Sequence, residues 1–335
     1  MLGLRFERGL GVVVTGALHI MQQLPFDKPG RFYKGNLHVH SNESDGKLSP
    51  AEVIENHRSR GYDFISLTDH LLPYERFNID KPGTIPLTDT TGFRDESFTT
   101  LVGAEIHGPS LANGDLWHLV AAGLPLDFPL WDGVESGPAI AARAKAAGAF
   151  VGIAHPAWYA LTLEDAMTVV EHSHAVEIYN HACAMIHRED GWYLADSLFD
   201  RGIKLSVYAA DDAHFKHPQG TFHDAFGGWV QVKTDSLSPE SILDALKAGW
   251  FYSSTGAELR DIRIEGDELV VESSPAELIL ITGRGAQSAN VYGENLMEAR
   301  FPLKRWNDLG FARVTVIDAA GKRAWSNPIW FNEAN

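Results

Sequence analysis

Nine side chains in this sequence are of the types that hold divalent cations, and they come in short clusters. They are His38 and His40 in Asn-Leu-His-Val-His, Asp45 in Ser-Asp-Gly, His70 after Thr-Asp, Glu105 after Gly-Ala, His118 after Trp, His155 before Pro, and Asp212 with His214 in Asp-Ala-His. Imidazole nitrogen mixed with carboxylate oxygen suits manganese, zinc or iron, so the chemistry in view is metal-assisted hydrolysis. Residues two apart on a strand face the same way, so His38 and His40 can reach one ion while Val39 packs on the other face. Asp212 and His214 repeat that device with one carboxylate and one imidazole. A lone His-x-His, or a single carboxylate at a strand end, is as readily a solvated surface feature; it is the company each keeps that points to a metal centre. The two oxygens of a carboxylate can bridge two cations, which makes Glu105 the expected bridge.

Between Arg31 and about Thr255, runs that read as strand alternate with runs that read as helix. Strands are expected at Gly35 to Val39, Asp63 to Leu67, Thr100 to Ala104, Trp117 to Ala121, Phe150 to Ile153, Ala175 to Ile178 and Lys204 to Ala209. Helices are expected from Ser49-Pro50-Ala51-Glu52, which supplies a cap, a first-turn proline and a capping-box glutamate, to a stop at Gly61. Others are expected at Pro138 to Ala147, Leu163 to Glu171, Arg188 to Asp200 and Pro239 to Lys247. This alternation predicts an α/β fold with a parallel sheet, closed into a barrel by its strand number. All the candidate ligands sit at or just past the ends of different strands, except His118, which begins one. Beyond residue 255 only short alternating runs remain, at Asp261 to Ile264, Leu269 to Glu272, Glu277 to Thr282, Ala312 to Ile317 and Trp325 to Phe331. They predict a small antiparallel β domain over residues 256–335. Residues 1–30 read as an N-terminal arm with a strand at Val12 to Leu18 that packs on that unit.

The 335 residues carry a net charge of −16 and are 44% hydrophobic, with a single cysteine, Cys183. That charge disfavours a nucleic-acid polymer as partner and favours a small molecule. One cysteine cannot close an internal disulfide. No apolar run approaches the ~20 residues needed to span a bilayer, so the expectation is a cytoplasmic protein with no membrane partner. Nothing in the sequence indicates the oligomeric state.

Seven pieces, His38-Val39-His40, Ser44-Asp45-Gly46, Thr68-Asp69-His70, Gly103-Ala104-Glu105, Trp117-His118-Leu119, Ala154-His155-Pro156 and Asp212-Ala213-His214, together resemble the PHP (polymerase and histidinol phosphatase) family over residues 31–255. Phe251-Tyr252-Ser253-Ser254-Thr255-Gly256 and the β-rich tail resemble its carbaryl-hydrolase-like branch. The resemblance implies a distorted (β/α)7 TIM-like barrel and two or three divalent ions. One ion would take His38, His40, Glu105 and Asp212, a second Asp45, His70 and His214, and a third Glu105, His118 and His155. Asp69 would orient an imidazole rather than ligate. Ions in that number outweigh the three carboxylates, so the pocket would be cationic and draw an anionic or strongly polarised substrate. The expected function is a phosphoesterase acting on a small phosphate ester or nucleotide, with a hydroxide bridging two ions as nucleophile and Glu105, Asp212 and His214 as the catalytic residues.

Around that centre, His107, His181 and His217 are candidates to protonate a leaving group, and Arg94, Lys216 and Asn180 to grip substrate oxygens. Trp158 is a candidate to stack on a base or aromatic leaving group. Three other readings stay open. The same centre would cleave a carboxyl ester or carbamate. The amidohydrolase barrels also begin with His-x-His, but they need a lysine on a central strand where this chain has none. A non-catalytic, metal-stabilised binding module would contain metal and turn over no ester.

Overall fold

In the computed structural model, which describes residues 22–78, 80–109, 111–130, 133–216, 223–306 and 310–331, each expected strand and helix between residues 31 and 255 has a counterpart, and strands not expected are added, Trp229–Thr234 and Phe251–Ser254 among them. The expected strand at Val12 to Leu18, and His217, lie outside the described residues. The first unit comprises β1 (Arg31–Asn36), α1 (Pro50–Arg58), β2 (Phe64–Leu67), β3 (His70–Leu71), β4 (Thr99–Gly108), β5 (Trp117–Ala122), α2 (Gly137–Ala146) and β6 (Phe150–Ile153). It continues through α3 (Leu163–Met167), β7 (Ala175–Asn180), α4 (Trp192–Phe199), β8 (Ser206–Ala210), β9 (Trp229–Thr234), α5 (Pro239–Lys247) and β10 (Phe251–Ser254). Local signals act as read. The Ser49 hydroxyl accepts from the Glu52 amide, and the Glu52 carboxylate accepts from the Ser49 amide, the reciprocal bonds of a capping box. Ser136 and Ser238 cap α2 and α5 through the hydroxyl alone, accepting from the Ala139 and Ser241 amides, each ahead of a proline.

The closed barrel is not formed. The hydrogen-bonded order of these strands is β10-β9-β1-β2-β4-β5-β6-β7-β8, an open sheet with β8 at one end and strands from beyond residue 255 continuing it past β10. The reason lies at β1. Its free edge is taken by β9, which runs antiparallel to it from Arg31↔Thr234 to Gly35↔Val230. The segments just past β1 and β8 still meet, at a single parallel bridge between Val39 and Ala213.

Nor is the sheet all-parallel. β4 and β5 are joined by a loop with no helix, and a connection that short cannot carry the chain back to run parallel. β5 accordingly runs antiparallel to both β4 and β6. This reversal brings the start of β5 to the rim where its neighbours end, which is why His118, at the beginning of its strand, joins ligands at the ends of theirs.

The C-terminal unit is antiparallel as expected: β11 (Leu259–Glu265), β12 (Glu268–Gly283), β13 (Ser288–Pro302), β14 (Phe311–Ile317), β15 (Arg323–Ser326) and β16 (Ile329–Trp330). Two expected runs, Leu269 to Glu272 and Glu277 to Thr282, are one long bulged strand, β12. β13 has no counterpart in the sequence reading. It pairs only with β12, is mostly exposed, and carries the polar residues an edge strand tolerates, so it lacks the apolar alternation that marks a buried strand. The ladder crosses the expected boundary at 255/256 through β10 and β15. Of the N-terminal arm, Leu24 is buried in the C-terminal core and the Gln22 amide donates to the Pro328 carbonyl at 2.6 Å. Among the described residues no helix is long and apolar enough to cross a membrane.

Candidate metal centre

Backbone hydrogen bonds interleave the two period-two motifs. The Asp212 amide donates to the His38 carbonyl at 2.8 Å, and the His40 amide to the Ala213 carbonyl at 2.9 Å. Val39 and Ala213, between the ligands, are fully buried with Ile65 and Leu67 on the opposite face, as alternation requires. Asp212 adopts a left-handed backbone (φ 56°), a conformation that costs a non-glycine residue about 1 kcal/mol or more and that tertiary bonds must hold. Gly46 lets the Asp45 turn close on this strand, since a Cβ there would lie 2.8 Å from the His40 carbonyl oxygen.

All nine candidate ligands converge, as four overlapping sets whose donor atoms lie within 4.8 Å of one another. In the first, His38 Nε2 lies 3.4 Å from both Glu105 Oε2 and Asp212 Oδ1, and His40 Nε2 lies 3.5 and 2.9 Å from the same two atoms. Ligands at ~2.1 Å in a tetrahedron stand ~3.4 Å apart, so these separations fit an ion at their centre. In the second, Asp45 Oδ1 lies 3.3 Å from His70 Nε2 and 3.1 Å from His214 Nε2. His40 joins this set too, its ring against those of both His70 and His214 with centroids 4.4 and 4.3 Å away. In the third, Glu105 Oε1 faces His118 Nδ1 at 2.6 Å and His155 Nε2 at 3.1 Å. Glu105, fully buried, thus presents one oxygen to each of two sets, the geometry of a bridge.

The donor atoms are also those left without hydrogen bonds. His38 Nε2, His40 Nε2, Asp45 Oδ1, Glu105 Oε2 and Asp212 Oδ1 are buried with no partner in bonding geometry. Each such atom costs ~1–3 kcal/mol unless something satisfies it, and a divalent cation does so for several together. The residues therefore fit the metal that the sequence suggests.

Metal-free, the centre is balanced by its own charges. Burial opposes ionisation of Asp45, but the His214 and His70 imidazoles outweigh it and hold the carboxyl far below its ordinary value. Burial likewise opposes the His70 cation, yet Glu105 and Asp45 push that imidazole up to about 10. Burial and the neighbouring His214 and His70 hold His40 down at about 4, a neutral ring with a lone pair to offer.

Residues behind the ligands decide which nitrogen faces the centre. Glu177, on β7 and buried, accepts from His38 Nδ1 at 3.1 Å and from the His155 amide at 2.6 Å, leaving His38 Nε2 free for an ion. His107 Nδ1 donates to the Trp117 carbonyl at 3.0 Å, so its Nε2 must be the acceptor for His70 Nδ1 at 2.9 Å. That leaves Nε2 of His70, beside Asp45, as the nitrogen an ion would take once its proton is lost. His107 thus sits beside the ligands, lines the cavity and, with His70 and Glu105, forms the fourth set.

Several expected roles change. Asp69 orients no imidazole; its carboxylate accepts from the Ser41 amide, the Ser41 and Ser44 hydroxyls and Thr88, tying down the turn that carries Asp45. Asn180 is buried and grips Glu177 and Asp212 through its amide, at 3.0 and 3.2 Å, instead of facing substrate. Arg94 is away from the cavity, bonded to Thr100, and His181 does not line it but meets the Tyr179 hydroxyl at 3.1 Å. Lys216 does line the cavity, with its ammonium 2.8 Å from Asp45 Oδ2, and Trp158 stands at the mouth beside His118 and His155. In sequence the strand end Glu177-Ile178-Tyr179-Asn180 marks Glu177 only as a carboxylate facing the pocket; its support of His38 and His155 is a tertiary contact. The sequence reading passed over Asp224, which holds the His214 and Lys216 amides.

The cavity above these ligands has a volume of about 440 Å³. Its walls are largely apolar, with Leu72, Phe77, Leu116, Trp158, Met185 and Ile186, and its one lysine or arginine among the described residues is Lys216.

Comparison with solved structures fits this architecture. A two-domain protein from Bacteroides vulgatus, containing a predicted PHP-like metal-dependent phosphoesterase, superposes with a TM-score of 0.51 over 90% of this chain and 96% of its own, at 14% identity. The fold is PHP-like. Two further structures match over little more than half of this chain and, at these TM-scores, add nothing to the fold. One is an amidohydrolase from Chromobacterium violaceum with bound sulfate and no metal (TM-score 0.40, 15% identity, 55% of this chain and 88% of its own). The other is a candidate metal-dependent phosphoesterase from Bifidobacterium adolescentis (0.39, 17%, 56% and 90%). No family model matches the sequence, and no curated protein matches it.

Proposed function

We propose that this chain is a metal-dependent hydrolase that cleaves a phosphate ester of a small molecule at the centre built on Glu105. The observation that carries the reading is the convergence of buried, unpartnered donor atoms from His38, His40, Asp45, Glu105 and Asp212, the last three of which line an open cavity. Divalent ions held there, two or three of manganese, zinc or iron, supply acidified water as nucleophile and positive charge for substrate oxygens. The chain's own residues do the rest. Glu177 and His107 fix the imidazole tautomers, Asn180 and Lys216 restrain Asp212 and Asp45, and Glu105 spans two sets of ligands. The apolar side chains in the cavity walls lower the local dielectric and strengthen each of these contacts.

The apolar walls favour a substrate with an apolar or aromatic leaving group over a bare sugar phosphate. A carboxyl ester or carbamate is the second reading, favoured by one observation: Lys216, the cavity's one lysine or arginine, is already engaged by Asp45. The strand at Phe251–Ser254, laddered to the β-rich tail, supports placing the chain in the carbaryl-hydrolase-like branch.

Metal analysis of the purified protein, followed by a panel of aryl and alkyl phosphate mono- and diesters, nucleotides, carboxyl esters and carbamates, tests the proposal. Metal with phosphoester turnover supports it. Turnover confined to carboxyl esters or carbamates selects the second reading, and stoichiometric metal without turnover of any ester leaves a binding module. Glu105→Gln is expected to lower turnover more than ~100-fold, because one lost charge disturbs two sets of ligands. Near-normal activity and metal content in that variant would overturn its role as bridge.

A further inference from the structure

A second cavity, of about 370 Å³, lies at the opposite end of the strands from the metal centre. It is lined by residues at or before the starts of β7 and β8 (His174, Ser206), by the ends of α2 and α5, by the N-terminal segment from Gln22 and by the C-terminal unit through Trp330. The two ends of β8 alone are ~13 Å apart at ~3.3 Å per residue, so the two cavities are separate.

Its charge is opposite to that of the chain. In a protein of net charge −16, Lys145, Lys204 and Lys247 all line this one cavity and, among the described residues, no carboxylate does. Lys145 and Lys247 occupy the last turns of α2 and α5, and each donates to one carbonyl, of Glu171 and Gly148. Helix-end position explains those single bonds. It does not explain why both face the same space as Lys204, which has no carboxylate partner among the described residues. Among the described residues the one acidic group paired with any of the three is Asp244, a largely exposed residue 3.1 Å from Lys247. The His174 imidazole feels both helix lysines: after burial, their charges are the next causes that push it down to about 4. Its Nδ1 accepts from the Val151 amide, so a neutral His174 carries its proton on Nε2. Clustered ammonium groups repel one another, and a multivalent anion removes that cost.

We propose that this cavity binds a small oxyanion, phosphate or the phosphoryl group of a metabolite, held by Lys145, Lys204 and Lys247. The site is independent of the reaction at the metal centre.

The test is thermal unfolding of the intact protein in phosphate, sulfate or a nucleoside monophosphate, against chloride at equal ionic strength. The comparison covers wild type, Lys145→Met/Lys204→Met/Lys247→Met, and Asp212→Asn, in which the metal centre is disturbed. General salting effects are common to all three and cancel. Saturating phosphate or sulfate is expected to raise the melting temperature of wild type and Asp212→Asn by ~3 °C or more, and that of the triple variant by much less. Lys204→Met alone, at an exposed position, is expected to weaken phosphate binding about tenfold, about one lost charge-assisted contact, and serves if the triple variant does not fold. Equal effects of phosphate and the nucleotide mean that the phosphoryl group alone is recognised; a larger effect of the nucleotide gives the rest of the cavity a share in binding. A shift that survives loss of the lysines, that disappears in Asp212→Asn, or that is absent from wild type overturns the proposal.

Discussion

Glu177→Gln tests whether the centre is held from behind. The wild-type carboxylate accepts on both sides, Oε1 from His38 Nδ1 and Oε2 from the His155 amide and the Asn180 side chain. A glutamine of the same size has one accepting oxygen. If that oxygen serves His155 and Asn180, the new NH2 group faces His38 Nδ1 and forces the imidazole to move its proton to Nε2, the nitrogen meant for the ion. If it serves His38, the NH2 group confronts two other donors in a fully buried site. Either arrangement leaves at least one buried donor unmatched, at ~1–3 kcal/mol, and losing such an outer partner typically weakens metal binding ~10- to 100-fold, or ~1.4–2.7 kcal/mol. The assay is metal content after dialysis against a graded series of chelator concentrations, with thermal unfolding of the metal-free protein alongside. The expected result is loss of metal at ~10- to 100-fold lower chelator concentration. A variant that keeps wild-type resistance to chelator would refute the reasoning, because the His38 tautomer would then not depend on Glu177.

His107→Ala removes the neutral acceptor of His70 Nδ1 and leaves it Glu105 Oε2, 2.9 Å away and itself a candidate ligand, so metal is expected to be ~10-fold easier to strip, with partial recovery in His107→Gln; equal retention by all three proteins would count against the tautomer argument. Trp158→Ala is expected to lower kcat/KM for aryl esters ~3- to 10-fold and to leave short-chain alkyl esters of the same head group nearly unchanged, so a uniform loss on both would contradict a stacking role. His57, outside the centre, is fully buried against Tyr62 and Phe226 and held down at about 4, by burial first. Unfolded chain binds a proton near 6.5 that the folded protein refuses until about 4, so stability falls as pH drops through that window, by up to ~3 kcal/mol. Denaturant unfolding of wild type and His57→Phe at pH 7 and pH 4.5 measures it; parallel losses in the two proteins would assign the acid sensitivity elsewhere.

The ligand types and their local spacing are properties of the sequence alone. His38 and His40 share a face because strand geometry has a period of two, and Ser49 with Glu52 starts a helix because a capping box closes within four residues; neither needs a distant partner. Strand direction and closure are different, since they depend on which edge meets which. β5 runs backwards because its loop holds no helix, and the sheet stays open because β9 occupies the edge of β1, a contact between residues some 200 positions apart in the chain. β13 escaped notice because an edge strand is free to be polar. The supports at the centre belong to the same class. Glu177 behind His38, Asn180 against Asp212, and Asp69 on the Asp45 turn in place of an imidazole are set by packing between elements distant in sequence, where local pattern carries no information. Short-range geometry chose which side chains can bind metal, and only the tertiary fold chose what holds each of them in place.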